Sequence, residues 1–288
     1  MSIGKPASLD RAREIVRSAH TLDPSSSLVR IEEQLRRGDA NARQLARLIE
    51  GSPALAARVL RMANSAFYAP LEPVVSLNRA VAMLGEIVLR QLVLTSLVMA
   101  RGAGRRSPRQ ALAAARLTAD AVRSAVVARS LAKVTKVVAF DEAFAAGLLH
   151  DLGHVYLLDA TGDAYAEYLL TVGTTSSDLE REIELAATTH QEVGAVFAYE
   201  WNLPTSVANV LFEHHGVPGQ SLVGLVATSD TLIADFASHQ ADAQTEGRVA
   251  ADAGLAAVGI TREQWDAMLA DVRRDISELM SVFELAEV

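Results

Sequence analysis

Gly147-Leu148-Leu149-His150-Asp151-Leu152-Gly153-His154 sets a His-Asp doublet inside an apolar run, with a second histidine four residues after the first. Five of the seven histidines lie between His150 and His215: His150, His154, His190, His214 and His215. A carboxylate, Asp230, follows within a helical pattern. Imidazole and carboxylate together suit borderline transition metals. His150-Asp151 and His214-His215 are adjacent pairs. Neighbours on a helix point about 100° apart, because each turn takes ~3.6 residues. Adjacent ligands therefore share one centre only near a helix end or a crossing. The doublets predict a site between helices, not on one helix face.

The surrounding composition fits a helical host. Half of the 288 residues are hydrophobic but only 5% are aromatic. Ala and Leu dominate and no alternating strand pattern persists, which predicts an all-α fold. With no Cys, disulfides and thiolate metal sites are excluded. The first residues, Met1 to Pro6, lack the apolar core of a signal peptide. The longest mainly apolar run, Leu92 to Ala100, falls well short of the ~20 residues that span a bilayer. The expectation is a cytoplasmic protein with no membrane partner.

The net charge of −8 hides an asymmetry. Residues 1–120 carry 18 Lys and Arg against 10 Asp and Glu; residues 121–288 carry 9 against 25. Either the two halves attract each other, or the basic half meets an acidic partner or a nucleotide.

Helical periodicity runs from Leu9 to Ala19 with Ser8 as N-cap, then over 28–36, 42–50 and 53–64. Pro53 suits the first turn after Ser52. These short amphipathic helices can bury their stripes only against one another, so a bundle is expected, with Arg58 and Arg61 on its solvated face. Pro70 and Pro73 enforce an extended loop. Leu77 to Ala100 reads as one long helix, apolar nearly all round in its second half, and so as a buried spine. The basic loop Arg101 to Arg109 reads as a solvated linker, lacking the Gly-Lys pattern of a phosphate cradle. Further helices are expected over 110–133, from Phe140 to the doublet, and over 163–170 and 178–187. Others follow from His190 to Trp201, over 204–212 and over 222–236. The last runs from a Thr261–Gln264 capping box to about Leu285. Asp141, Glu142, Glu180 and Glu182 read as first-turn acids that favour a helix N-terminus. His154 reads as a helix-face or core histidine, and His20 and His239 as surface residues.

GLLHDLGH resembles the signature of the HD superfamily of metal-dependent phosphohydrolases. The run from Ser52 to Tyr68, with Val75-Ser-Leu-Asn-Arg-Ala80 and Met83-Leu-Gly85, narrows the resemblance to the HDOD family, a relative of the HD-GYP cyclic-dinucleotide phosphodiesterases. The similarity covers roughly Leu22 to Ser238. It implies an N-terminal helical bundle, residues 1–104, packed on an HD-like helical core with C-terminal helices, residues 105–288. It also implies a metal set of His150, Asp151, His190, His214, His215 and Asp230.

Three departures from the HD-GYP pattern stand out. Asp120 takes the place of the first histidine, with Arg116 one turn before it. His154 replaces the lysine that usually follows the doublet's glycine. Nothing after His215 matches the Gly-Tyr-Pro signature. A guanidinium does not ligate metals, whereas the Asp120 carboxylate could replace one imidazole; Arg116, Asp120 and His154 are read as ligand-contacting residues beside the metal set. The resulting expectation is a regulatory HDOD module with no catalytic residue, acting through a signalling protein partner or a nucleotide. The alternative is a metal-dependent phosphohydrolase acting on a nucleotide or cyclic dinucleotide. A divalent transition metal (Fe, Mn) or Mg is the only cofactor the pattern suggests. Nucleic acid is not an expected partner, because the basic residues are dispersed and no DNA-reading motif appears.

Overall fold

A computed structural model describes residues 6–18, 41–100, 106–173, 178–237 and 241–283. The expected helix over 28–36, His20 and His239, and the basic loop over 101–105 lie outside them. The described residues form helices α1 (Pro6–Ser18), α2 (Ala42–Glu50), α3 (Pro53–Asn64), α4 (Leu77–Ala100), α5 (Pro108–Thr135), α6 (Phe140–Leu149) and α7 (Leu152–Thr161). They continue with α8 (Asp163–Val172), α9 (Leu179–Ala186), α10 (His190–Glu200), α11 (Thr205–Glu213), α12 (Leu222–Ala237), α13 (Ala241–Val258) and α14 (Arg262–Val282). The chain is all-α, as its composition requires.

Local chemistry sets most of the helix ends. Asn41 and Gln44 form a reciprocal capping box at α2, and Thr261 and Gln264 form the expected one at α14. Ser107 caps α5 and Pro108 occupies its first turn, where a missing N–H costs nothing. Ser52 stands at the N-cap of α3 but makes no side-chain cap bond. Ser8 is inside α1, not its cap, and its hydroxyl reaches Glu192 instead. Leu77–Ala100 is not one continuous helix. Gly85 breaks it with φ 74° and ψ 163°, a conformation that residues with a Cβ avoid. The helix α13, over a stretch for which no element was expected, buries Ala251, Leu255 and Val258 at helical spacing.

At the centre lies α5, 28 residues long, packed against α6, α8, α12 and α14. In α4, Leu92 and Val93 are fully buried, and the helix packs on α2 and α3 on one side and on α6 on the other. It therefore joins the N-terminal helices to the core, in keeping with its apolar run. The first helix, α1, sits with the C-terminal elements α7 and α10. Arg58 and Arg61 do not face solvent alone. Arg58 donates to Ser96 Oγ at 3.0 Å and lies over the Phe283 ring, and Arg61 donates to the Val282 carbonyl at 3.3 Å. The return of α14 across α3 converts these polar heads into tethers, while their stems cover apolar surface.

The basic and acidic halves meet in specific pairs. Arg17 reaches Glu200 at 3.0 Å, Arg106 reaches Asp159 at 2.8 Å and Arg109 reaches Glu167 at 3.2 Å. Arg129 connects the halves differently. Its guanidinium stacks 3.8 Å from the Phe67 ring centre and donates to the Phe67 carbonyl, pinning the loop after α3 onto α5.

Candidate metal centre

The doublet falls at a corner. His150 ends α6 and Asp151 occupies the N-cap of α7. His190 opens α10, after a Thr189–Glu192 capping box that fixes where the helix begins. His214 is the C-cap of α11 and His215 follows it. Asp230 projects from the middle of α12 toward Ser124 of α5, 3.3 Å away. Helix ends thus supply every histidine of the set, as adjacent ligands demand. Gly153 makes the corner possible. A Cβ there would lie 1.9 Å from the His190 carbonyl oxygen, so only glycine lets α7 approach α10 this closely.

His150, Asp151, His190, His214 and Asp230 are buried and His215 is partly buried. The hydrogen bonds behind the imidazoles assign their tautomers. His150 Nδ1 donates to the Gly147 carbonyl at 2.8 Å, and His214 Nδ1 donates to the Val210 carbonyl at 3.0 Å. His190 Nδ1 donates to the Glu182 carboxylate at 2.8 Å. These partners only accept. Nδ1 of each ring therefore carries a proton, and the neutral rings of His190 and His214 present a bare Nε2, whereas His150 Nε2 faces two carboxylates.

The Nε2 atoms of three histidines and one Asp151 oxygen converge. His190 Nε2 lies 3.3 Å from His214 Nε2 and 3.1 Å from His215 Nε2, and His214 Nε2 lies 3.1 Å from Asp151 Oδ1. Asp151 Oδ1 has no aligned hydrogen-bond donor despite that closeness. Asp151, His190, His214 and His215 each offer one ligand atom, all within 4.8 Å of one another. Lone pairs held this close repel unless a cation or proton lies among them. The donor set therefore fits a divalent metal, and these four residues would hold it.

His150 and Asp230 sit beside this group, not inside it. His150 Nε2 is 3.2 Å from Asp151 Oδ2 and 3.3 Å from Asp230 Oδ1. Burial opposes charge on His150, but Asp151 and Asp230 outweigh it and raise its pKa well above the usual imidazole value. Asp151 is held well below the carboxylate range against its own burial, chiefly by His150. Burial and then His214 push His190 well down and His215 down, which keeps both neutral as ligands must be.

The structure adds Glu182 and Tyr165, which the sequence did not reveal. Glu182 is no helix-opening surface acid. It is fully buried and accepts from both the backbone N–H of His190, at 2.7 Å, and its Nδ1. This is the carboxylate–histidine arrangement that orients metal ligands. Only its spacing with Ala186, four residues on and also buried, hints at an inward face. Tyr165 bonds His154 Nδ1 at 2.7 Å. His154 is a core histidine, as expected, stacked on the His190 ring with centres 3.9 Å apart. Its pKa is pushed down to about 3 by burial and by His190, and its Nε2 has no hydrogen-bond partner.

Arg116 and Asp120 stand apart from the donor group. Arg116 donates to the Leu170 carbonyl at 3.2 Å, at the end of α8. Asp120 pairs with Arg123 at 2.8 Å, and burial raises its pKa in spite of that partner.

An all-helical chain with a buried His-Asp cluster assembled at helix corners is an HD-type helical protein. Residues 23–217 match the HDOD domain, and the chain belongs to that family. An uncharacterized protein of Treponema pallidum (strain Nichols) is 30% identical over 201 residues. The match takes in 67% of this chain but spans only 37% of that relative's length. A protein of Shewanella amazonensis SB2B provisionally named a phosphohydrolase superposes with a TM-score of 0.62 at 23% identity, over 94% of this chain and 98% of the other. A protein of Marinobacter aquaeolei VT8 provisionally named for signal transduction gives 0.58 at 19%, over 96% and 66%. At these identities the likeness establishes the fold.

Proposed function

We propose that this chain is a cytoplasmic HDOD regulatory module, acting through a protein partner, whose cluster holds one divalent cation without turnover. One observation carries the reading. Asp120 and Arg116, where the resemblance places upstream ligands, are engaged elsewhere, by Arg123 and by the Leu170 carbonyl. The group of Asp151, His190, His214 and His215 is then the one position with four donors among the described residues, and the neighbouring group of His154, Glu182 and His190 has three and shares His190 with it. A bound cation supplies charge to polarise a phosphate and to lower the pKa of a water, whereas in-line phosphoryl displacement by a two-metal route needs a second ion close by. Around the cluster, Glu182 and Val210 hold the Nδ1 protons of His190 and His214 and keep their Nε2 atoms bare, while Gly147 holds the Nδ1 proton of His150. Their imidazole-rich set favours iron over manganese or magnesium. A signalling role fits the name of the Marinobacter protein. Among the described residues, no helix is long and apolar enough to cross a membrane.

The test joins metal analysis of protein purified without chelators to hydrolysis assays on cyclic dinucleotides with manganese, iron or magnesium. The expected result is a bound transition metal near one per chain and no turnover. Turnover that His150→Ala and Asp151→Ala both abolish would establish the phosphohydrolase alternative instead.

A further inference from the structure

A cavity of about 650 Å³ opens between α2 and α4, far along the chain from the histidine cluster. Arg43, Arg47, Glu50, Asn78, Val81 and Ala82 line it. Its volume is in the range of small-molecule sites, ~300–1,000 Å³. Arg43 and Arg47 are exposed and lie one helical turn apart, so both guanidinium groups share a face. They differ from several other surface arginines here. Arg11, Arg13, Arg79, Arg109 and Arg181 each find a carboxylate within 4 Å. Neither Arg43 nor Arg47 makes an ion pair with a described residue, although Glu50 lies on the same helix. Two like charges thus stand side by side at the cavity wall, with Glu50 on the same wall but no ion pair from either arginine to a described residue.

We propose that this cavity binds a nucleotide carrying two or more phosphates. Arginine presents a planar fork of donors that matches phosphate oxygens in pairs. Two forks one turn apart suit neighbouring phosphoryl groups better than a single carboxylate. Val81 and Ala82 give an apolar floor against which a base can lie. Asn78 and Glu50 supply the polar selectivity a base or sugar needs, an amide that donates and accepts and a carboxylate that accepts from an amino group or hydroxyl. The excess of basic residues before position 120 adds a long-range attraction for such an anion. The site is separate from the histidine cluster and would give a regulatory module its small-molecule input.

Isothermal titration of the full chain with ADP, GDP and inorganic pyrophosphate, in excess EDTA to silence the metal centre, tests the proposal. The parent and its Asp151→Ala variant should bind ADP or GDP alike. Arg43→Glu/Arg47→Glu should weaken that binding on the order of 100-fold, since two charge-assisted contacts are lost. Melting of this variant should be unchanged because both positions are exposed. Ala82→Trp, which fills the floor and leaves every charge in place, should weaken the nucleotide while sparing pyrophosphate. The proposal is overturned if the parent binds neither nucleotide, or if binding survives both the arginine pair and Ala82→Trp. It also fails if Asp151→Ala alone abolishes binding, which would move the ligand to the histidine cluster. Pyrophosphate binding as tight as ADP and GDP would remove the nucleotide assignment.

Discussion

Glu182→Gln separates the geometry of the metal centre from the stability of the fold. The substitution keeps side-chain size at a fully buried position and replaces one acceptor oxygen by an NH2 group. In the parent the carboxylate accepts from the His190 backbone N–H at 2.7 Å and from its Nδ1 at 2.8 Å. An amide oxygen in the place of Oε2 still faces both donors, but the NH2 that replaces Oε1 confronts Nδ1 at 2.8 Å. The lock on the His190 tautomer is lost, and Nε2 is no longer held bare toward His214 and His215. Outer-shell partners of this kind are worth about 10–100-fold in metal affinity, or ~1.4–2.7 kcal/mol. The metal-free fold changes less, because two effects oppose. An unserved buried donor costs roughly 1–3 kcal/mol, but the variant no longer buries an anion, and burial already raises the Glu182 pKa. The assay is a competition titration of Co(II) or Zn(II) against a chromogenic chelator, beside thermal melts in EDTA. The expected outcome is affinity down by at least tenfold with melting moved by a few degrees. Affinity within threefold of the parent would refute the role given to Glu182.

Two further perturbations test the supports of the centre. Gly153→Ala should lower stability by about 3 kcal/mol or more, because its Cβ would overlap the His190 carbonyl and drive α7 from α10; an unchanged denaturation midpoint would contradict the tight approach of the two helices at this corner. His154 ties stability to pH: the unfolded side chain takes a proton below about 6.5, whereas the folded one stays neutral down to about 3. Between those limits the unfolded state holds the extra proton, so metal-free stability should fall as pH falls, by about 1.4 kcal/mol per unit from this residue. Urea unfolding at pH 7, 6 and 5 in EDTA should show that slope in the parent and a shallower one in His154→Phe; equal slopes would remove His154 as its source.

The amino-acid sequence by itself determined the all-α class and the family, because these are written in composition and local motifs, and the family resemblance pointed to the histidines and aspartates that meet at the helix corners. Adjacent ligands can share a centre only at helix ends, and His150, Asp151, His190 and His214 are all found there. Capping at Thr261 is equally local, a matter of one side chain and one amide three residues on. Tertiary structure alone decided which acids matter. Glu182 and Glu180 look alike as first-turn residues of α9, yet one is buried against His190 and the other is not, since only the packing of α9 on α7 says which face turns inward. Asp120 likewise pairs with Arg123 from the next turn and feels the charge of Asp151, yet is not one of the four clustered donors, which its residue type alone does not tell. Arg58 and Arg61 look like solvent-facing residues in sequence because their partners arrive from Ser96 and from the far end of the chain. Local patterns fix what a residue can do. Burial and long-range contacts fix whether its charge, lone pair or proton is directed at anything, because those energies depend on distance and solvent exclusion in three dimensions.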